Sequence, residues 1–174
     1  MATLLSEQDF DVRVTYCQFS VQESHDTLIP SPYPDGAESG TFLKPYPMRL
    51  DFGSAGHTHT ASAVVQVWNA EPDPDSRQSW DETAESQIET VSGELGIWSM
   101  ERADETIKLG SAGRWRVRVS SGNRNEVARV TREVGVAYGV ERWLLQFWPE
   151  ANRDRNSAEA AASQRRNDGS GHTP

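Results

Sequence analysis

Two histidines separated by one threonine, His57 and His59, have the spacing most typical of metal ligands in this sequence. Alternate residues of a strand point to one face, so both imidazoles would reach the same ion. A third ligand would have to come from His25 or from a carboxylate, because two ligands do not make a site. A solvated turn or strand end explains the pair equally well, and we expect no cofactor.

The strongest charge feature is the acidic segment, which we define as residues 71–89. It contains seven acids and one basic residue, Arg77. Such a segment is solvated, binds a cation or faces a basic partner. Its spacing disfavours specific calcium binding, because it lacks the glycine and the terminal glutamate of an EF-hand loop. Trp80 would supply an apolar anchor to a protein interface. The residues predicted to contact a partner are Glu71, Asp73, Asp75, Trp80, Asp81, Glu82 and Glu85.

Three arginines alternate along one predicted strand, Arg114, Arg116 and Arg118. A guanidinium binds carboxylate or phosphate through two parallel hydrogen bonds, so the row would either pair with acids across a sheet or hold an anionic ligand. In the ligand alternative Trp98 would help to line the pocket. At strand spacing, however, such aromatic residues are more typical of the core, and this applies to Trp98, Trp115, Trp143, Phe147 and Trp148.

The sequence contains no strong catalytic motif. No glycine-rich phosphate loop follows a strand and no nucleophile elbow is present, so we expect a binding protein rather than an enzyme. Cys17 is the single cysteine, which excludes an internal disulfide and agrees with a reducing compartment. We expect Cys17 to be a small residue of a strand and not a reactive thiol.

Alternating apolar residues predict an all-β body, an antiparallel sandwich or a jelly-roll-like barrel. Strands are expected over residues 11–21, 48–52, 58–69 and 141–148, with 58–69 in a central position. Two hairpins are expected, one joining 86–92 to 94–99 across Gly93 and one joining 106–109 to 114–120. A proline-rich irregular loop with a short edge strand covers 28–47, and spacings of three and four predict a short helix over 125–136.

Length and composition indicate one domain, residues 1–149, followed by a disordered tail, residues 150–174. The chain has 174 residues, and from residue 151 onward it contains no large apolar side chain. No apolar run is long enough to span a membrane and the start does not resemble a secretory signal, so we expect a cytoplasmic protein. A net charge of −9 repels nucleic acids and anionic membranes, which favours a basic protein partner.

The run from Val14 to Phe19, the strand order that follows it, and the run from Gly113 to Val117 resemble the small acidic nuclease inhibitors associated with bacterial competence. The resemblance implies a β-sandwich whose acidic surface blocks a basic nuclease. This chain differs in its longer proline-rich loop, in an insertion at residues 123–140 and in its tail. No site residue is transferred from that family.

Two functional hypotheses follow from the sequence. The first is an inhibitor or immunity-like recognition module that engages a basic partner through the acidic segment. The second is a small-ligand-binding or catalytic β-barrel with a tryptophan-lined pocket, in which His57 and His59 bind a metal.

Overall fold

The computed structural model describes residues 1–25 and 40–151. These residues form ten strands and one helix. In chain order the elements are β1 (Leu4–Val14), β2 (Gln18–Glu23), β3 (Leu43–Tyr46), β4 (Arg49–Gly53), β5 (His59–Trp68), β6 (Glu82–Thr90), β7 (Glu94–Trp98), β8 (Arg102–Lys108), β9 (Gly113–Gly122), α1 (Arg124–Glu133) and β10 (Tyr138–Pro149).

The strands form two five-stranded sheets, which confirms the predicted sandwich. The first sheet has the order β1-β5-β10-β9-β6 and the second has the order β3-β4-β2-β7-β8. Neighbouring strands are antiparallel except for β5 and β10, which run parallel. The predicted central strand is confirmed, because β5 lies between β1 and β10. Among the described residues, no helix combines the length and apolar character needed to cross a membrane.

An aromatic cluster fills the space between the sheets. Trp143 of β10 stacks on Phe42 with ring centroids 5.3 Å apart, and it meets Phe19 of β2 edge-on at 5.1 Å. Phe19 in turn stacks on Phe52 of β4 at 4.7 Å. All four rings are buried, so they remove a large apolar area from water and join both sheets. Of the aromatic residues predicted to be core residues, Trp115, Trp143, Phe147 and Trp148 are indeed buried, whereas Trp98 is only half-buried.

The single strand predicted over residues 11–21 is wrong, because the chain turns at Tyr16 and Cys17 and divides it between the two sheets. Both residues have positive φ angles, 51° and 61°. The buried apolar residues of β1 are even-numbered up to Val14, whereas those of β2, Phe19 and Val21, are odd-numbered. That change of phase is the sequence signal of the turn, since alternation along an unbroken strand keeps its parity. Cys17 is therefore a turn residue and not a strand residue.

Both predicted hairpins are also wrong. The turn at residues 91–93 carries the chain from β6 in the first sheet to β7 in the second, and residues 109–112 carry it back from β8 to β9. The two crossovers lie side by side, with the Leu109 amide donating to the Gly93 carbonyl at 2.9 Å. A Cβ at Gly93 would lie 2.7 Å from the Ser111 backbone, so this contact requires glycine.

A buried carboxylate, Glu23 at the end of β2, holds the first crossover. It accepts hydrogen bonds from the Thr90 hydroxyl at 2.5 Å, the Val91 amide at 2.7 Å and the Ser92 amide at 3.2 Å, and also from the Ser92 hydroxyl. Burial by itself raises the pKa of Glu23, but the donors at Ser92, Thr90 and Val91 outweigh it and lower the pKa to about 2.

The predicted helix over 125–136 is confirmed as α1, which buries Val127. The edge strand expected near residue 42 is β3, paired with β4 at one side of the second sheet. The rest of the proline-rich loop, residues 26–39, and the predicted tail from residue 152 lie outside the described residues. Glu150 still pairs with the sheet, because its amide donates to the Arg114 carbonyl at 3.0 Å.

We predict that Glu23→Gln destabilises the fold by about 2–3 kcal/mol at pH 7, because five donors, the His25 amide among them, lose a charged acceptor. Since the folded pKa of Glu23 lies below its ordinary value of 4.5, the stabilisation is complete above that value and disappears as the pH falls toward 2. Urea unfolding of both proteins at pH 7 and pH 3 measures the difference. The exposed Glu105→Gln is the control, expected within about 0.5 kcal/mol of wild type. A difference that does not shrink at pH 3 would contradict this role of Glu23.

Candidate interaction surface

The first part of the acidic segment crosses the outer face of the first sheet between β5 and β6. Pro72 is buried there, and its carbonyl accepts a hydrogen bond from Arg118 of β9 at 2.8 Å. Further along, the Gln78 side chain accepts a hydrogen bond from Arg142 of β10. The segment therefore packs against the sheet instead of extending into solvent.

Arg118 organises this surface. Its side chain is only 9 % exposed, and its guanidinium lies over the Trp148 ring at 5.4 Å. It donates from Nε to Glu85 at 2.8 Å and from Nη2 to Glu71 at 3.2 Å. A nearly buried arginine with these partners ties β6, β9 and the acidic segment together, and its charge offsets the carboxylates beside it.

The three alternating arginines were expected either to pair with acids across the sheet or to hold an anionic ligand. Pairing across the sheet is confirmed for two of them. Arg116 and Arg118 both pair with Glu85, which lies on the neighbouring strand β6. Arg114 is more exposed and lies 3.5 Å from Glu150. Trp98 ends β7 in the other sheet, so the structure does not bring it to the arginines to form the predicted ligand pocket.

A second arginine, Arg124 at the start of α1, connects the acidic segment to the interior. Its Nε lies 3.2 Å from the exposed Glu82, and its Nη1 lies 3.3 Å from the buried Glu141. The Arg124 amide donates to the Asp81 carboxylate at 2.8 Å. Asn123, the residue before the helix, makes no side-chain cap, so Asp81 supplies the acceptor that the first turn needs.

The predicted partner-contact residues are therefore not equivalent. All the acids among them except Asp75 are exposed, and two of these, Asp81 and Glu82, have the helix-linked partners just described. The Asp75 side chain is 7 % exposed and pairs with Arg77 at 2.7 Å. The acids thus form a fixed surface in which arginines balance part of the charge.

Trp80 is half-buried, and its ring lies over Gly122, where an added Cβ would come within 3.5 Å of it. Its indole nitrogen is buried and has no hydrogen-bond partner among the described residues. Only part of the ring is accessible to a partner, so Trp80 also helps to attach the segment to the sheet.

The structure separates the two candidate metal ligands. His57 is exposed, bonds to the Thr58 hydroxyl at 3.0 Å and contacts the Tyr16 ring edge-on at 5.3 Å. His59 is buried at the start of β5, while the amide of His25 donates to Glu23 in the second sheet. In the part of the chain that the structure describes, no three His, Cys, Asp or Glu side chains are grouped to hold a metal ion.

His59 belongs to a buried polar cluster that sequence reasoning missed. The Ser54 hydroxyl lies 2.9 Å from His59 Nε2 and donates to Glu141 at 2.5 Å, and the Ala55 amide donates to Glu141 at 3.1 Å. Burial raises the pKa of Glu141, but the hydrogen bonds from His59, Ser54 and Ala55 outweigh it and lower the pKa.

The cluster contains the residue types of a serine-hydrolase triad but not its geometry. In a triad the acid bonds to the imidazole nitrogen remote from the serine. Here Glu141 lies 3.4 Å from His59 Nε2, the same nitrogen that faces Ser54. The other nitrogen, Nδ1, has no hydrogen-bond partner among the described residues, and both side chains are fully buried. This arrangement positions elements and presents no nucleophile to a substrate.

The strand register contains the signal that identifies these buried groups. Glu141 precedes Trp143 by two residues and therefore shares its inward face. His59 likewise precedes the buried Ala61 by two residues, and Glu23 follows the buried Val21 by two. A charged or imidazole side chain in a core-facing position must find internal partners.

Cys17 is half-buried in the turn between β1 and β2. Burial and the nearby charge of Glu141 raise the pKa of its thiol, which lowers the thiolate fraction at neutral pH. Its amide donates to the His57 carbonyl at 2.7 Å. These features support the interpretation of Cys17 as an unreactive residue.

The fold and this surface define a class of protein, a two-sheet β-sandwich with an arginine-braced acidic outer face. Its architecture is similar to that of ComJ from Bacillus subtilis, described as an inhibitor of the DNA-degrading activity of NucA. The two share 11 % sequence identity with a TM-score of 0.57, over 86 % of this chain and 99 % of ComJ. The protein described as crocagin biosynthetic gene J is similar at 11 % identity and a TM-score of 0.56, over 84 % of this chain and 99 % of that one.

These two similarities concern the fold, and they confirm the β-sandwich that the family resemblance implied. No protein-family model and no curated protein sequence matches this chain.

We predict that Arg118→Met loosens the acidic segment, because the Pro72 carbonyl and two carboxylates lose their shared donor. The expected cost is about 1–3 kcal/mol of unfolding free energy, with faster amide hydrogen exchange in residues 71–79. Arg114→Met is the matched control, because that arginine is 59 % exposed and its removal should cost less than about 0.5 kcal/mol. Equal effects of the two substitutions would show that Arg118 does not organise the surface.

Proposed function

We propose that this protein is a non-enzymatic recognition protein that binds a basic protein partner, a nuclease being the proposed class, and inhibits it. The observation that carries the proposal is the fixed acidic surface on the outer face of the first sheet. Arg118 and Arg124 hold Glu71, Glu82 and Glu85 in place, so these side chains lose little entropy when a partner binds. The proposed contact residues are those of the acidic segment, including the exposed Asp73 and Glu82.

The overall charge supports the same partner chemistry. A net charge of −9 attracts a basic protein at long range and raises the association rate, and it disfavours contact with a nucleic acid backbone. We also propose that the protein acts in the cytoplasm without a cofactor.

Similarity to ComJ supports the inhibitor hypothesis at the level of fold. ComJ is described as inhibiting DNA degradation by NucA, and almost its whole length aligns with this chain. A nuclease that binds DNA needs a basic surface, and an acidic inhibitor would compete with DNA for that surface.

The direct test is affinity capture of the tagged protein from host lysate at low and at high salt, followed by a nuclease assay of the retained protein. We expect one basic protein in near-stoichiometric yield, weakened by salt because the Debye length falls below about 8 Å above 0.15 M. We further expect its DNA degradation to stop when one equivalent of this chain is added. Recovery of the chain alone, or a captured nuclease that stays active, would contradict the proposal.

A pair of variants locates the contact. Asp73→Asn with Glu82→Gln should weaken binding of the captured partner about 3- to 30-fold. Glu94→Gln with Glu133→Gln removes the same charge from exposed positions elsewhere and should change binding less than about twofold. Equal weakening by both pairs would mean that only total charge matters and that the acidic segment is not the contact.

A further inference from the structure

An open groove lies at the edge of the sandwich opposite to β6, the last part of the acidic segment. It has a volume of about 540 Å³ and lies between β1 of the first sheet and the β7–β8 hairpin of the second. β1 and β6 occupy the two opposite edges of the first sheet, four strand spacings apart, which is roughly 19 Å. The residues that line the groove do not belong to the acidic segment, so the groove is a different surface from the one proposed above.

Exposed apolar side chains gather around this groove. Met100 lines it and is 70 % exposed, and Tyr138, 69 % exposed, bonds through its hydroxyl to Asp11 of the groove wall. Tyr16 is equally exposed and follows Thr15, whose hydroxyl accepts a hydrogen bond from Ser99 beside Met100. Large apolar groups that remain together in water commonly mark a protein contact.

The groove also borders two unpaired strand edges. β1 ends the first sheet and β8 ends the second, and no further strand pairs with either outer edge within residues 1–25 and 40–151. An open edge presents a row of backbone N–H and C=O groups that an extended peptide satisfies by adding a strand. β1 is the longer edge, with 11 residues against 7 for β8.

The charges of the groove favour a basic occupant. Three acids line it, Asp11, Glu101 and Asp104, against two arginines. One of these, Arg102, is engaged with the Ser24 and Thr106 hydroxyls at 3.3 and 3.2 Å. Two further exposed acids increase the negative charge: Asp9 lies two residues before Asp11 in β1, and Glu105 follows Asp104 in β8.

We propose that this groove binds an extended, basic segment of a partner protein, which adds as a strand to the open edge of β1. Lysine or arginine side chains of the segment face Asp11, Glu101 and Asp104, and an apolar side chain packs on Met100 and Tyr138. The backbone edge supplies affinity that does not depend on the peptide sequence, while the acids and exposed apolar groups select its side chains.

The probe is a phage-displayed library of random 10-residue peptides, selected on the full chain. We expect enriched peptides to have a net positive charge and alternating basic and apolar residues. Glu101→Lys with Asp104→Lys should weaken binding of the best peptide at least tenfold. Glu94→Lys with Glu133→Lys, an equal charge change away from the groove, should weaken it less than threefold.

Backbone pairing is tested with two synthetic versions of the best peptide, each methylated on one of the two alternating sets of amide nitrogens. In an added strand only every second amide faces the edge of β1, so one alternating set should abolish binding and the other should preserve it. Amide hydrogen exchange should slow in β1 when the unmodified peptide binds.

Several results would overturn the proposal. These are no enrichment, enriched peptides without positive charge, equal effects of the two charge reversals, equal effects of the two methylation patterns, and protection confined to β8 or to the acidic segment. If spermidine binds as tightly as the peptide, the groove is a site for a small polycation, and the proposal is rejected. The peptides need no nuclease, so failure here leaves the proposed inhibitor function intact, and the reverse also holds.

Discussion

The burial of Glu141 is the constraint on which the rest of this structure depends. Its carboxylate lies in the inward register of β10 and is fully buried, so it must be surrounded by donors to remain charged. Ser54 and Ala55 bring the loop between β4 and β5 to it, and Arg124 brings the start of α1. One strand, one loop and the helix are therefore positioned by a single acid.

Arg124 transmits this constraint to the acidic surface. The same guanidinium that meets Glu141 inside lies against Glu82 outside, and the helix it begins is capped by Asp81. On the outer face of the sheet, Arg118 holds two further acids in place through ion pairs with Glu71 and Glu85. Arginine suits both positions because its donors are fixed in a plane and match the geometry of carboxylates. A chain with excess acids thereby keeps an ordered anionic face where unbraced carboxylates would repel one another.

Alternation of apolar and polar residues was the most reliable signal in the sequence. The alternation of Trp115, Val117 and Val119 with arginines predicted β9 and its inward face, and the valines of residues 58–69 predicted a central strand. The turn at Tyr16 and Cys17 was missed, although the parity of the apolar residues changes there. The prediction of a hairpin across Gly93 was wrong, because a short turn that contains glycine is compatible with a hairpin and with a crossover between sheets. The buried partners of Glu141 were missed, since they are far from it along the chain.

The sequence by itself determined the β class, the inward and outward positions along most strands, the short helix and the excess of negative charge. These properties follow from local alternation and composition, which need no knowledge of neighbouring strands. Only the tertiary structure decided which strands share a sheet, which acids are balanced by arginines, and which edges and apolar side chains remain open around the groove. The reason is physical: pairing and burial depend on groups that meet in space after long stretches of intervening chain, and several pairings satisfy the same local pattern.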